Sequence, residues 1–255
     1  MKKVHVSTIP GLKKWIDLIA VFTLAGLGLQ AVNTFSRGIT LISVIGYLLT
    51  LGVNLLLVFS LYAVLKRERT YAALGVISTT LKILFIGMCV LTGLFSLIVL
   101  LTLISFNVAD SAAGGVLVTI MVLLIVLAAM LVILAKFYRY TAKTVKQLKN
   151  DTYDGSKKPE TWAFVNAAVS LAMLLLRLIL VFIPLMRLGN AIDQSSSTLS
   201  GYLTEALVNS GSTNLLSSSM PGMALSLCQC ASFYCVYLLL KTVRLNMPVP
   251  KKSVS

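Results

Sequence analysis

The chain has 255 residues, 58% of them hydrophobic and 12% charged, with a mean hydropathy of +0.93. A soluble domain carries about 45–50% apolar and about 25% charged residues, so soluble, disordered, collagen-like and disulfide-stapled chains are excluded. The net charge of +14 would suggest nucleic acid in a soluble protein, but here the lysines and arginines flank apolar blocks, so anionic lipid headgroups are the expected partner and nucleic acid is not.

About 20 apolar residues cross a bilayer, and six blocks reach that length. They predict an all-α, polytopic integral membrane helical bundle, a single membrane-embedded domain over residues 1–255 with both termini cytoplasmic. The first span, 15–33, is diluted by Asp17, Gly26, Gly28 and Gln30, which leaves an interfacial helix as the alternative. The lysines before it resemble a signal-peptide start, yet no small-x-small cleavage site precedes Arg37, so it reads as an uncleaved span. The second span, 39–65, ends at Lys66-Arg67-Glu68-Arg69.

The apolar run from Tyr71 to Phe106 is too long for one crossing: as a helix it measures about 54 Å, against about 30 Å of hydrocarbon. The third span is therefore placed at 83–106, with 71–82 at or below the cytoplasmic interface. Asp110-Ser111 reads as a helix cap before span four, 115–135, whose pattern continues as a cytoplasmic amphipathic helix over 136–149. Residues 151–156 break it, and Pro159 suits the first turn of the helix carrying span five, 162–188. A Ser/Asn/Gly-rich stretch over 189–219 reads as an extracytoplasmic loop, with a short amphipathic turn at 202–208. Ser219-Met220-Pro221 then reads as the cap and first turn of span six, 221–240.

The basic residues set the orientation. Eighteen of the 22 lysines and arginines fall in connectors that share one side, and only Arg37 and Arg187 fall on the other. The positive-inside rule then puts both termini inside and requires an even number of crossings. Aromatic residues recur where odd spans begin and even spans end, which would suit three parallel hairpins. Interfacial aromatic belts produce the same matches in any polytopic protein, and that is the simpler reading.

Two basic residues interrupt apolar runs. Arg177 lies in Leu174–Val181 and Lys82 follows Thr79-Thr80-Leu81. Arginine at a helix centre costs about 2.5–3.5 kcal/mol on insertion, so it should face protein, water or a headgroup. Together the two are the candidate anion or headgroup site; the plainer expectation is that both snorkel to the inner interface. In the helix after span four, Lys136, Arg139, Lys143, Lys146 and Lys149 cover about 140° of one face, and Phe137, Thr141, Thr144, Val145 and Leu148 lie opposite. This stripe is the candidate surface for anionic lipid or a membrane-protein partner.

Other chemistry is poorly provided for. His5 is the only histidine, and no Gly-rich phosphate loop or Gly-x-Ser-x-Gly elbow occurs. Cys228, Cys230 and Cys235 cannot all face one ion from a regular helix, so neither metal nor cofactor is expected. Asp17 is the only acid within a span, which disfavours a proton pump. Asn54, Asn166 and Gln229 are expected to bond across helices. No two glycines lie four apart, so close helix approach should use alanine and serine. The expectation is a non-enzymatic accessory or assembly component of a bacterial cytoplasmic membrane; the alternative is a carrier for a small anion or lipid using Arg177 and Lys82.

Overall fold

The structure is a computed structural model that describes residues 5–36, 40–106, 111–194 and 212–247, with side chains described for 5–35, 40–101, 121–122, 124–179 and 220–247. Among these residues the chain is all-helical, without strands. A single 3-10 turn, Val6–Thr8, precedes six helices: α1 Leu12–Ser36, α2 Leu41–Val64, α3 Thr70–Phe106, α4 Ser111–Lys149, α5 Lys158–Gln194 and α6 Ser212–Asn246. Each contains a stretch long and apolar enough to cross a membrane. The architecture therefore suits a multi-pass membrane protein.

The helices divide into two compact units. Unit one holds residues 1–16, 56–166 and 235–255, and unit two holds 17–55 and 167–234. In unit one, the amino-terminal turn joins the lysine-rich ends of the helices in a common core. Val6, Ile9, Leu12 and Ile16 are buried with Val64 of α2, Ala73, Leu74, Ile77 and Leu81 of α3, Ala142, Val145 and Leu148 of α4, Tyr153, and Val243 of α6. The spacing 73, 74, 77, 81 is one helical face, and it meets 142, 145, 148 on an antiparallel neighbour. Ser78 Oγ donates to the Ala142 carbonyl at 3.2 Å within that contact.

Further along α3 the pattern inverts. Ile83, Ile86, Val90, Leu94 and Leu97 are all exposed. So long an apolar surface on a soluble protein would demand a partner, whereas lipid tails solvate it directly. The helix is continuous through Lys82, so 70–82 extends the same rod that carries the exposed aliphatic stretch.

Connectors in unit one are fixed by local polar contacts. Thr70 is fully enclosed, and its hydroxyl donates at 3.0 Å to the carbonyls of both Val64 and Lys66, closing the turn between α2 and α3. The end of α4 forms a Schellman arrangement: Thr152 N donates to Gln147 O at 2.9 Å and Asp151 N to Leu148 O at 3.5 Å. This requires a left-handed residue, supplied by Asp151 at φ 56°; Gly155 at φ 69° makes the second reversal before α5. Pro159 falls in the first turn of α5, where a missing N–H costs nothing.

Unit two contains close contacts between α1 and α6. Thr23 and Ser232 hydroxyls lie 3.4 Å apart, and a Cβ on Gly26 would sit 3.6 Å from the Cys228 Cβ. Isolated glycines therefore take part in close approach although no Gly-x-x-x-Gly pair exists.

Three local expectations are corrected. α6 begins at Ser212, so Pro221 is inside the helix rather than in its first turn. A Ser/Asn-rich start reads as loop by propensity, but nine residues of helix precede the proline, which removes only the hydrogen bond to Ser217 O. The stretch expected as loop over 189–219 is correspondingly helical at both ends, to Gln194 and from Ser212. Asn54 and Asn166 each donate to their own helix, at Thr50 O (2.8 Å) and Trp162 O (2.7 Å), because the carbonyl four residues back is the nearest acceptor. The cap at Asp110, the loop basic residue Arg37, the turn at 202–208 and the side chain of Arg187 lie outside the described residues.

Candidate functional site

The extension of α4 is sharply two-sided. Lys136, Arg139, Lys143, Lys146 and Lys149 are all exposed, while Phe137, Thr141, Thr144, Val145 and Leu148 are all buried. The 3.6-residue period places the two sets on opposite faces, and core packing fixes which one turns outward. Two cation–π contacts tie this helix to α5 in both directions. Lys136 Nζ lies 4.8 Å from the Trp162 ring centroid, and Lys158 Nζ lies 5.6 Å from that of Tyr140. Lys149 runs its stem along α3, where its Nζ would stand 3.2 Å from a Cβ at Gly75.

Beside the stripe, α4, the following turn and the start of α5 enclose a pocket of about 100 Å³, lined by Tyr140, Lys143, Thr144, Gln147, Asp154 and Lys158 among others. Gln147 Nε2 donates to Asp154 Oδ2 at 3.0 Å, and Ser156 N donates to Asp154 Oδ1 at 3.0 Å. The Gln147 bond, with help from Ser156 and Lys143, holds the Asp154 carboxyl below its ordinary value against some desolvation.

An ion pair missing from the sequence expectations joins α5 to α6. Arg244 Nε donates to Glu160 Oε1 at 2.5 Å; the Glu160 side chain is 8% exposed and that of Arg244 21%. Glu160 stands in the first turn of α5 and Arg244 in the last turn of α6, the ends where helix dipoles favour those charges. Buried Tyr153 is close by: burial first, and the Glu160 carboxylate second, push its phenol up to about 12. The parity of the spans already put the start of α5 and the end of α6 on one side. That made Arg244 a candidate partner, but only packing could select it over the neighbouring lysines.

The two basic residues that interrupt apolar runs fall in different units, Lys82 in unit one and Arg177 in unit two. Lys82 is exposed on α3. Arg177 is half-buried, and its Nη1 donates to the Gly222 carbonyl of α6, which also accepts from Ser226 Oγ at 3.1 Å. Glycine permits this approach, since a Cβ at 222 would lie 2.9 Å from Arg177 Nη1. Gly222→Ala should push the guanidinium away and weaken a charged hydrogen bond, lowering stability in detergent by about 1 kcal/mol. Thermal unfolding of the purified protein reads this against Gly28→Ala, where a Cβ meets nothing and only the helix-propensity gain of about 1 kcal/mol applies; equal midpoint shifts in the two variants would show that the contact contributes nothing.

Among the described residues, no group of three or more histidine, cysteine or acidic side chains is placed to hold a metal ion. No protein-family model, no curated protein and no solved structure matches the chain.

Proposed function

We propose that the chain is a non-enzymatic accessory or assembly component of a bacterial cytoplasmic membrane, with both termini inside, whose working surface is the basic face of α4. The observation that carries this reading is the segregation on that helix: five cations outward, and every opposed residue in the core. A rigid basic face at the lysine-rich ends of the helices suits anionic headgroups of the inner leaflet, to which each lysine or arginine adds about 1 kcal/mol of attraction. A partner membrane protein with acidic juxtamembrane segments would use the same face.

A carrier for a small anion or lipid built on Arg177 and Lys82 is the weaker reading. Arg177 already donates to a backbone carbonyl, which suits a tie between α5 and α6.

The test uses protein reconstituted with brominated phosphatidylglycerol or brominated phosphatidylcholine, with tryptophan quenching as readout. The wild type should be quenched more by the anionic lipid, and Lys143→Gln with Lys146→Gln should cut that preference several-fold. An unaltered preference in the double variant would remove lipid docking as the role of the stripe.

A further inference from the structure

The pocket between α4 and α5 is chemically more particular than the stripe beside it. Lys143 and Lys158 bring two positive charges and Asp154 one negative, so the lining carries a net single positive charge. The first turn of α5 adds the partial positive charge of a helix N-terminus. Thr144 lines the same space, is only 3% exposed, and bonds no other described residue. Its hydroxyl on the pocket wall offers a donor to an occupant. Gln147 Oε1 is a buried acceptor without a partner, its amide nitrogen being engaged by Asp154.

These groups ask for a small anion that also carries a hydrogen-bond donor. A phosphodiester has one negative charge, matching the lining, whereas a free phosphate monoester carries about −1.5 to −2 at neutral pH. About 100 Å³ is roughly three waters' share of liquid volume, room for a phosphate group and its first substituent but not for acyl chains.

We propose that this pocket binds the phosphodiester of an anionic phospholipid whose headgroup bears a hydroxyl arm. Lys143, Lys158 and Thr144 donate to the phosphate oxygens, and Gln147 Oε1 accepts from the headgroup hydroxyl. The site deepens the lipid-facing role proposed for α4 and rests on that reading for its side of the membrane. It differs from the stripe in using Lys158, which is not on the stripe, and in sparing Lys146, which does not line the pocket.

The experiment is native mass spectrometry of the full chain released from detergent after incubation with phosphatidylglycerol, phosphatidic acid or phosphatidylcholine. The wild type should retain one phosphatidylglycerol per chain, in preference to both other lipids. Lys158→Gln should lower the retained fraction about fivefold, and Arg67→Gln, at an exposed arginine of neither the stripe nor the pocket, should leave it unchanged. In the wild type itself, phosphatidylglycerol should protect Lys158 from acylation, and excess inorganic phosphate should not.

Retention by Lys158→Gln at the wild-type level would overturn the proposal, as would equal losses in the Arg67→Gln control. Protection of Lys158 by inorganic phosphate without lipid would assign the pocket to a free anion instead. If the stripe's lipid preference fails in the quenching test while Lys158-dependent retention persists, the pocket stands and the broader surface reading falls.

Discussion

Glu160→Gln is expected to lower the stability of the purified protein by about 2–3 kcal/mol. Breaking a buried pair from one side costs about 3–5 kcal/mol, because the remaining charge is left without compensation. The lower figure applies here because Arg244 keeps 21% of its side-chain surface exposed, so water recovers part of its solvation. Gln preserves shape and one hydrogen-bond acceptor, which isolates the charge. The control is the paired replacement Glu160→Met with Arg244→Leu, which removes both charges and should be close to neutral. Thermal unfolding in one detergent reads all three proteins, and the Glu160→Gln midpoint should fall by roughly 5–10 °C. If the single and paired variants unfold together at the wild-type midpoint, the pair has no part in joining α5 to α6.

The second large effect concerns the amino-terminal segment. Ile16 is 1% exposed, the most enclosed aliphatic residue of the core that joins residues 6–16 to α2, α3, α4 and α6. Ile16→Ala should cost about 2–4 kcal/mol, the transfer term for the lost carbons plus a cavity that rigid helices cannot fill. Ile42 is the matched control. It has the same side chain on an apolar helix but is 84% exposed, so Ile42→Ala should stay within about 0.5 kcal/mol. Denaturant titration of both variants separates a packed amino terminus from one lying loosely on the protein. Equal small effects would contradict the packed core.

The contrast between these two isoleucines shows where the sequence was readable. Six apolar blocks and their basic flanks are visible because bilayer thickness and solvation of charge act on each block separately. The two faces of α4 were equally plain: Lys136, Arg139, Lys143, Lys146 and Lys149 recur at helical spacing, and burial follows that division residue by residue. What did not show was anything decided by a neighbour far along the chain. Val6 and Ile9 look like part of a basic leader until the faces of α3 and α4 are set beside them. Glu160 and Arg244 are 84 positions apart, and nothing local distinguishes Arg244 from Lys241 as the partner. Pro221 misled for a different reason. Its local signal is that of a helix start, but the helix continues through it at the loss of one backbone bond. Gly222, one residue later, looked unremarkable because its importance lies in what a side chain there would displace.

The pocket was also hidden, although four of its residues lie in one predicted helix. Lys143 read only as a member of the stripe, and Asp154 only as part of a break. The turn formed by Asp151 and Gly155 folds the break back against α4 and brings Lys158 to the same space. That reversal depends on two left-handed residues, one of them an aspartate, and propensity alone does not foresee it.

The central claim is that the basic connectors share one side of the membrane and the 189–219 stretch lies on the other. Cysteine tagging in intact cells tests it most directly, using a cysteine-free background that carries either Lys157→Cys or Ser196→Cys. A membrane-impermeant maleimide should label Ser196→Cys from outside and reach Lys157→Cys only after the cells are opened. Labelling of both positions from the same side would contradict the six-span topology and, with it, the inner-leaflet role assigned to α4.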